Sequence, residues 1–266
     1  MHVETFGPPD GAPVLFLHGG GAAGWSWRYQ VQSLSSQYRC VVPDLPGSGQ
    51  SREDGPFHFD RAAQELVDLV NTLGARRVHL VGLSLGGQLG ALLLARQPQA
   101  FASAFLSGVL ARDVPGSGCA RHPAGQALLR ATLAAYWPFR TRDFWIRANM
   151  RAYGIPAEFI EEVRAETRGL SIDAFMKMVV DENMGFRLPP GLEQVTAPVL
   201  VAVGEKEYDV VRQSALDLAR MLPRGRAVRV QAAGHNWPLE MPHLFNRALR
   251  DWLAGQPLPV ELAPLH

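Results

Sequence analysis

Between Arg77 and Arg96, from Val78 to Ala95, no residue carries a formal charge. A run of about 18 residues reaches the threshold for a bilayer-spanning helix, so it decides early between two very different kinds of protein. It also holds four glycines, Gly82, Gly86, Gly87 and Gly90, together with His79, Ser84 and Gln88. Its first half, 78–81, has the buried β-branched character of a strand, and its second half, 85–95, reads as a helix. A strand, a tight turn and a helix account for the glycines better than one continuous span does. The N-terminal Met1-His2-Val3-Glu4-Thr5 has neither a basic leader nor an apolar core, so the expectation is a soluble, cytoplasmic protein.

The same alternation continues along the chain. Strand-like runs at 14–17, 40–42, 78–81, 104–106, 199–203 and 228–230 are separated by helical patterns at about 25–37, 59–73, 85–95, 211–221 and 244–253. In the second of these helices Ala62, Leu66, Leu69, Val70 and Leu73 share one face, and Gly74 offers a stop. Short apolar strands alternating with helices predict an α/β fold with a mostly parallel sheet. From Asp113 to Pro190 no strand pattern appears, only helical spacing with aromatics and four of the seven methionines, Met150, Met176, Met178 and Met184. The expected organisation is a core of 1–112 and 191–254, a helical insertion of 113–190 lying over the sheet, and a Pro-rich, loosely held tail of 255–266.

Composition excludes several functions. With 26 basic against 25 acidic side chains, net charge +1, the chain lacks the overall electrostatic footprint of a nucleic-acid binder or a membrane-surface protein. The chain has 266 residues, 47% of them hydrophobic and 19% charged. Such a chain can bury a large core, which excludes disorder. Cys40 and Cys119 are too few for a disulfide framework and have no metal-ligand spacing. Neither a metal nor an organic cofactor is expected.

The chemistry concentrates at turns after strands. Gly82-Leu83-Ser84-Leu85-Gly86 lies between a strand and a helix. A serine hydroxyl is a weak nucleophile that must be exposed beside a base, and a strand-to-helix turn flanked by glycines projects it in that way. The N–H of Leu85, at the new helix's start, then points to where an oxyanion would develop. The plainer reading is a turn in which Ser84 only caps the helix. His18-Gly19-Gly20-Gly21 ends the first long strand. Its glycines could cradle phosphate, but no Lys-Ser/Thr pair follows, so the N–H of Gly20 fits better as a second oxyanion donor. His18 itself reads as a packing and hydrogen-bonding residue. Among eight histidines, His235 in Ala233-Gly234-His235-Asn236-Trp237-Pro238 stands on a loop after the last strand and is the candidate base.

Taken together, Gly82–Gly86, His18–Gly21, Asp44-Leu45-Pro46-Gly47-Ser48-Gly49-Gln50-Ser51 and Gly234-His235 resemble the α/β-hydrolase superfamily. The resemblance covers nearly all of the expected core, and it implies that the 113–190 insertion is a cap. It further implies an acid after the penultimate strand, three residues beyond a glycine. In Gly204-Glu205-Lys206-Glu207-Tyr208-Asp209 that residue is Glu207, a glutamate where relatives usually have aspartate, with Asp209 and Asp113 as rivals. The short N-terminus leaves room for one strand before Val14 where many relatives have a hairpin. The implied activity is hydrolysis of small to medium, hydrophobic carboxylic esters through an acyl-enzyme on Ser84. Carbon–carbon bond hydrolysis, lactone or amide hydrolysis, a lyase or acyltransferase, and a non-catalytic receptor for small molecules are the alternatives. The expected partner is a small-molecule substrate, with no nucleic acid and no membrane.

Overall fold

The computed structural model of the chain describes residues 1–74 and 77–266, the side chains of 120 and 121 excepted. Its strands are β1 (Val3–Phe6), β2 (Pro13–Leu17), β3 (Arg39–Pro43), β4 (Val78–Leu83), β5 (Phe101–Ser107), β6 (Val199–Gly204), β7 (Gly225–Val230) and β8 (Leu262–Pro264). They form one sheet in the order β1-β3-β2-β4-β5-β6-β7-β8. The pairs from β3 through β7 are parallel, and β1 and β8 run antiparallel at the two edges. Strand order turns back at β2, which makes the carboxyl ends of β2 and β4 a topological switch point, where ligands of open α/β sheets bind.

Up to β5 the connecting helices are α1 (Arg28–Leu34), α2 (Phe59–Thr72) and α3 (Leu85–Arg96). Between β5 and β6 the chain builds α4 (Gly118–Arg121), α5 (Pro123–Tyr136), α6 (Asp143–Ala152), α7 (Ile160–Gly169) and α8 (Ile172–Met176). The last continues as a π-helix over Lys177–Asn183. After β6 come α9 (Asp209–Met221), the short α10 (Trp237–Glu240) and α11 (Pro242–Leu253).

The interior strands are buried on both faces, and alternate residues serve opposite sides. On β2, Leu15 and Leu17 face α2, α3 and α9, whereas Val14 and Phe16 face α1 and α11. Val199, Val201 and Val203 on β6 join the first side, and Leu200 and Ala202 the second. Each large side chain among these contributes on the order of 2 kcal/mol by leaving water. The uncharged run divides as expected, into β4, a turn at Ser84 and α3. Nine residues of α3 are buried, so almost no face of it is left for charge. No helix among the described residues is long and apolar enough to cross a membrane.

The tail departs from expectation. Instead of hanging loose, 262–264 returns to the sheet as β8, pairing Leu262 with Val230 and Pro264 with Val228, and Leu262 is buried. The prolines mislead here because proline is tolerated on an edge strand, where its missing N–H costs little.

Candidate active site

Ser84 sits between β4 and α3 at φ 55°, ψ −117°. This is a left-handed conformation that a residue with a Cβ rarely adopts. Its neighbours impose it. A Cβ at Gly82 would stand 2.5 Å from the Gly86 carbonyl oxygen, and one at Gly86 would collide with the Leu17 carbonyl oxygen. The two glycines therefore let the elbow close against β2. The Ser84 N–H donates to the Ser107 carbonyl at 2.8 Å, and the side chain faces a cavity. Gly86→Ala is accordingly expected to destabilise the fold by about 3 kcal/mol or more, read as a shift of the urea midpoint.

Gly20 and Leu85 line the same cavity, and neither backbone N–H donates to another group among the described residues. Both stand ready as donors at the carboxyl ends of β2 and β4. His18 behind them is fully buried. Its Nδ1 lies 2.8 Å from the Gly19 carbonyl, and its Nε2 accepts the Leu45 N–H at 2.9 Å. A backbone N–H on Nε2 leaves the proton on Nδ1, and burial holds the pKa below the ordinary histidine range. His18 thus ties the glycine loop to the loop after β3. In that second loop the Asp44 carboxylate accepts the N–H groups of Gly24 and Gln50 at 2.7 and 2.8 Å.

His235 and Glu207 meet. Glu207 Oε2 lies 2.7 Å from His235 Nδ1, and Oε1 accepts the Gly204 N–H at 2.9 Å. The Glu207 side chain is 3% exposed and that of His235 35% exposed, so the acid is enclosed while the imidazole reaches the cavity. Its two rivals lie elsewhere: Asp209 is exposed and pairs with Arg212, and exposed Asp113 pairs with Arg187. Ser84 Oγ makes no hydrogen bond among the described residues, although it shares the cavity with His235. Gly108 allows the imidazole its place, since a Cβ there would stand 2.7 Å from His235 Cε1. Beside it Ser107 accepts the Trp237 N–H on its hydroxyl at 2.8 Å. Ser107 therefore joins the serine turn, through its carbonyl, to the histidine loop. A glycine directly after β5 is a readable signal of this close approach, and motif reading alone passes over it.

The cavity has a volume of about 660 Å³, in the range of small-molecule sites. Its roof is largely apolar: Leu133, Trp137, Leu170, Phe175, Met178 and Val179. The insertion's aromatics and methionines thus divide. Trp137, Phe175 and Met178 line the cavity, Phe159 and Met176 are buried, and Phe139, Phe144 and Trp145 are exposed. Met178 reaches the glycine loop, its sulfur 3.3 Å from a Cβ built on Gly20. Its π-helix is held to α3 by a reciprocal amide pair. Gln88 donates to the Asn183 carbonyl and accepts from its side-chain amide, both at 3.0 Å. Among the described residues, no three His, Cys, Asp or Glu side chains gather as a metal site.

Glu166 from α7 also lines the cavity. It accepts from Arg52 Nη2 at 2.8 Å and from the Gly49 N–H at 3.2 Å, yet burial outweighs both and pushes its pKa up to about 7. Between the ordinary value of 4.5 and about 7, the folded chain then keeps a proton that the unfolded chain releases. This group's contribution to stability therefore falls as pH rises through that window. Glu166→Gln is expected to flatten the dependence of Tm on pH between about 4.5 and 7 and to raise Tm above it. Thermal melts across that range check this.

The chain matches the model of the alpha/beta hydrolase family over residues 14–248. It is 28% identical to RutD of Pantoea ananatis, named as a carbamate hydrolase, over 93% of this chain and 90% of that protein. Among solved structures it is similar to BpoC of Mycobacterium tuberculosis, with TM-score 0.73, 22% identity and coverage of 96% and 95% of the two chains. It is also similar to a thermophilic esterase of Thermogutta terrifontis, with TM-score 0.67, 24% identity and coverage of 96% and 93%.

Proposed function

This chain belongs to the alpha/beta hydrolase family, and from that premise we propose that it is a serine hydrolase of small to medium, largely apolar carboxylic esters. One observation carries the reading. Ser84, held at a strained turn, opens into the cavity reached by an imidazole whose far nitrogen is bound by a buried carboxylate. Glu207 keeps the proton of neutral His235 on Nδ1, which leaves Nε2 as the base. As Ser84 Oγ attacks the ester carbonyl, its proton passes to Nε2, and the carbonyl oxygen takes the developing charge beside the N–H groups of Gly20 and Leu85. Collapse of this intermediate breaks the bond to the alcohol oxygen, which takes the proton from Nε2. Water then attacks the acyl-enzyme by the same route, releasing the acid and restoring the Ser84 hydroxyl.

The apolar roof supports esters whose acyl chain fills it. Activity toward aryl esters is expected to rise from acetyl to butanoyl, mainly through a lower KM, by roughly tenfold for about two buried methylenes. A preference for charged or very short acyl groups would overturn the apolar pocket. A serine-reactive phosphonate should label the intact protein with one equivalent, and no labelling at all would sink the nucleophile.

A second reading is hydrolysis of a carbamate by the same residues, favoured by the similarity to RutD over most of both chains. Matched aryl esters and aryl carbamates assayed side by side separate the two, the larger kcat/KM naming the substrate class.

A further inference from the structure

The net charge of +1 conceals a segregation within the helical insertion. Between Val114 and Ala157 there are six arginines and a single acidic residue, Asp143, whereas Glu158 to Pro190 holds seven acidic side chains against four basic. The acidic half is tied to the core. Glu158, Glu162 and Glu166, spaced to share one face of the helical stretch, bond Tyr29, Arg28 and Arg52. The basic half is not tied in this way. α5 buries none of its residues, and α6 buries only Ile146 and Met150.

The outer face of this half is apolar and aromatic. Leu128 is 71% exposed, Phe139 50%, Phe144 71% and Trp145 41%. Trp145 joins two neighbouring rings, 5.3 Å from Tyr136 and 5.4 Å from Phe144. Leu128 and Phe139 stand about three helical turns apart, so they share a stripe of α5 and its continuation, turned away from the Tyr136 side that lines the cavity. On α6, Arg147 and Arg151 follow Phe144 at spacings of three and seven, which puts them on its face, and Arg142 stands at the helix start. These three arginines are exposed, and their side chains make no ion pair or hydrogen bond among the described residues. Asp143, the single local acid, is already paired with Arg164 at 2.8 Å.

We propose that this face, built by Leu128, Phe139, Phe144 and Trp145 and rimmed by Arg142, Arg147 and Arg151, docks on an anionic phospholipid bilayer. Exposed rings enter the headgroup boundary while long arginine stems lift their charges to the phosphates, the division of labour of interfacial helices. Unpartnered guanidinium groups choose an anionic surface over a neutral one. The same two helices roof the cavity, through Leu133 and Tyr136 on α5 and Asn149 and Met150 on α6. Docking therefore brings the cavity roof to the lipid surface, where apolar esters partition. The expectation of no membrane partner, drawn from total charge, could not register a segregation that sums to almost nothing.

Flotation of the full chain with vesicles tests this, and because it reads binding it stands apart from the hydrolytic reading. Phosphatidylcholine vesicles containing phosphatidylglycerol should carry the protein at low salt and release it at high salt, and pure phosphatidylcholine should not carry it. Arg142→Gln, Arg147→Gln and Arg151→Gln together should weaken binding roughly a hundredfold, at about fivefold per arginine. Phe144→Ser should weaken it roughly tenfold. Both variants should hydrolyse a soluble aryl ester as the parent does, since none of these side chains lines the cavity. Equal binding to both vesicles, binding to neither, or binding that the triple variant keeps overturns the proposal. So does light scattering that finds a dimer which Phe144→Ser dissolves.

Discussion

Ser84→Ala is expected to lower kcat for an activated aryl ester roughly 10⁵-fold and to leave Tm within a few degrees of the parent. The asymmetry follows from where the backbone strain is held. The turn at φ 55° is imposed by Gly82 and Gly86 against β2 and by the Ser84 N–H bond to Ser107, none of which uses the hydroxyl. Removing the oxygen removes the nucleophile and leaves the elbow. Some acceleration over water should persist, because the Gly20 and Leu85 donors remain. Phosphonate labelling should vanish in this variant. If parent and variant hydrolyse a panel of aryl esters equally slowly, the cavity is a binding site on a hydrolase fold, and the proposed chemistry fails.

The next largest loss is expected from Glu207→Gln, on the order of 10⁴-fold in kcat, with Asp209→Asn and Asp113→Asn within about threefold of the parent. A carboxylate has two acceptor oxygens, and Glu207 uses one for the Gly204 N–H and the other for His235 Nδ1. Glutamine has one. If its oxygen keeps the Gly204 N–H, its NH₂ faces Nδ1, and the imidazole must turn its proton to Nε2, the atom that has to accept from serine. If the amide flips instead, a buried N–H is left unpaired and a donor meets the NH₂ group, which costs stability. Steady-state kcat with thermal melts distinguishes the two results. The reverse order among the three variants would reassign the acid.

What can be read from sequence is local. The serine turn declares itself because strand, serine, two glycines and helix are adjacent in the chain. Glu207 is found by its distance from the end of β6, and the Oε2 contact with His235 is the kind of pairing such counting cannot show by itself. The insertion resists reading for a physical reason. Helical spacing identifies helices but not which face meets what, so Trp137 in the cavity and Trp145 in solvent look alike in sequence. The pairing of Gln88 with Asn183 joins segments far apart in the chain, and the raised pKa of Glu166 depends on burial against a loop from the N-terminal half. Charge counting is silent about the insertion's faces because opposite excesses on neighbouring helices cancel.

The return of β8 to the sheet has a consequence for self-association. A sheet ends in a strand whose free N–H and C=O groups will pair with any chain that offers the same pattern. Without 255–266, that strand would be β7, six residues long with buried Val228 and Val230 facing inward. With β8 in place the exposed border is three residues long and ends in proline. Such a border is a poor template for a neighbour. The last dozen residues, remote from Ser84, thus cover the β7 border of the sheet with a short strand that offers a neighbour little to pair with.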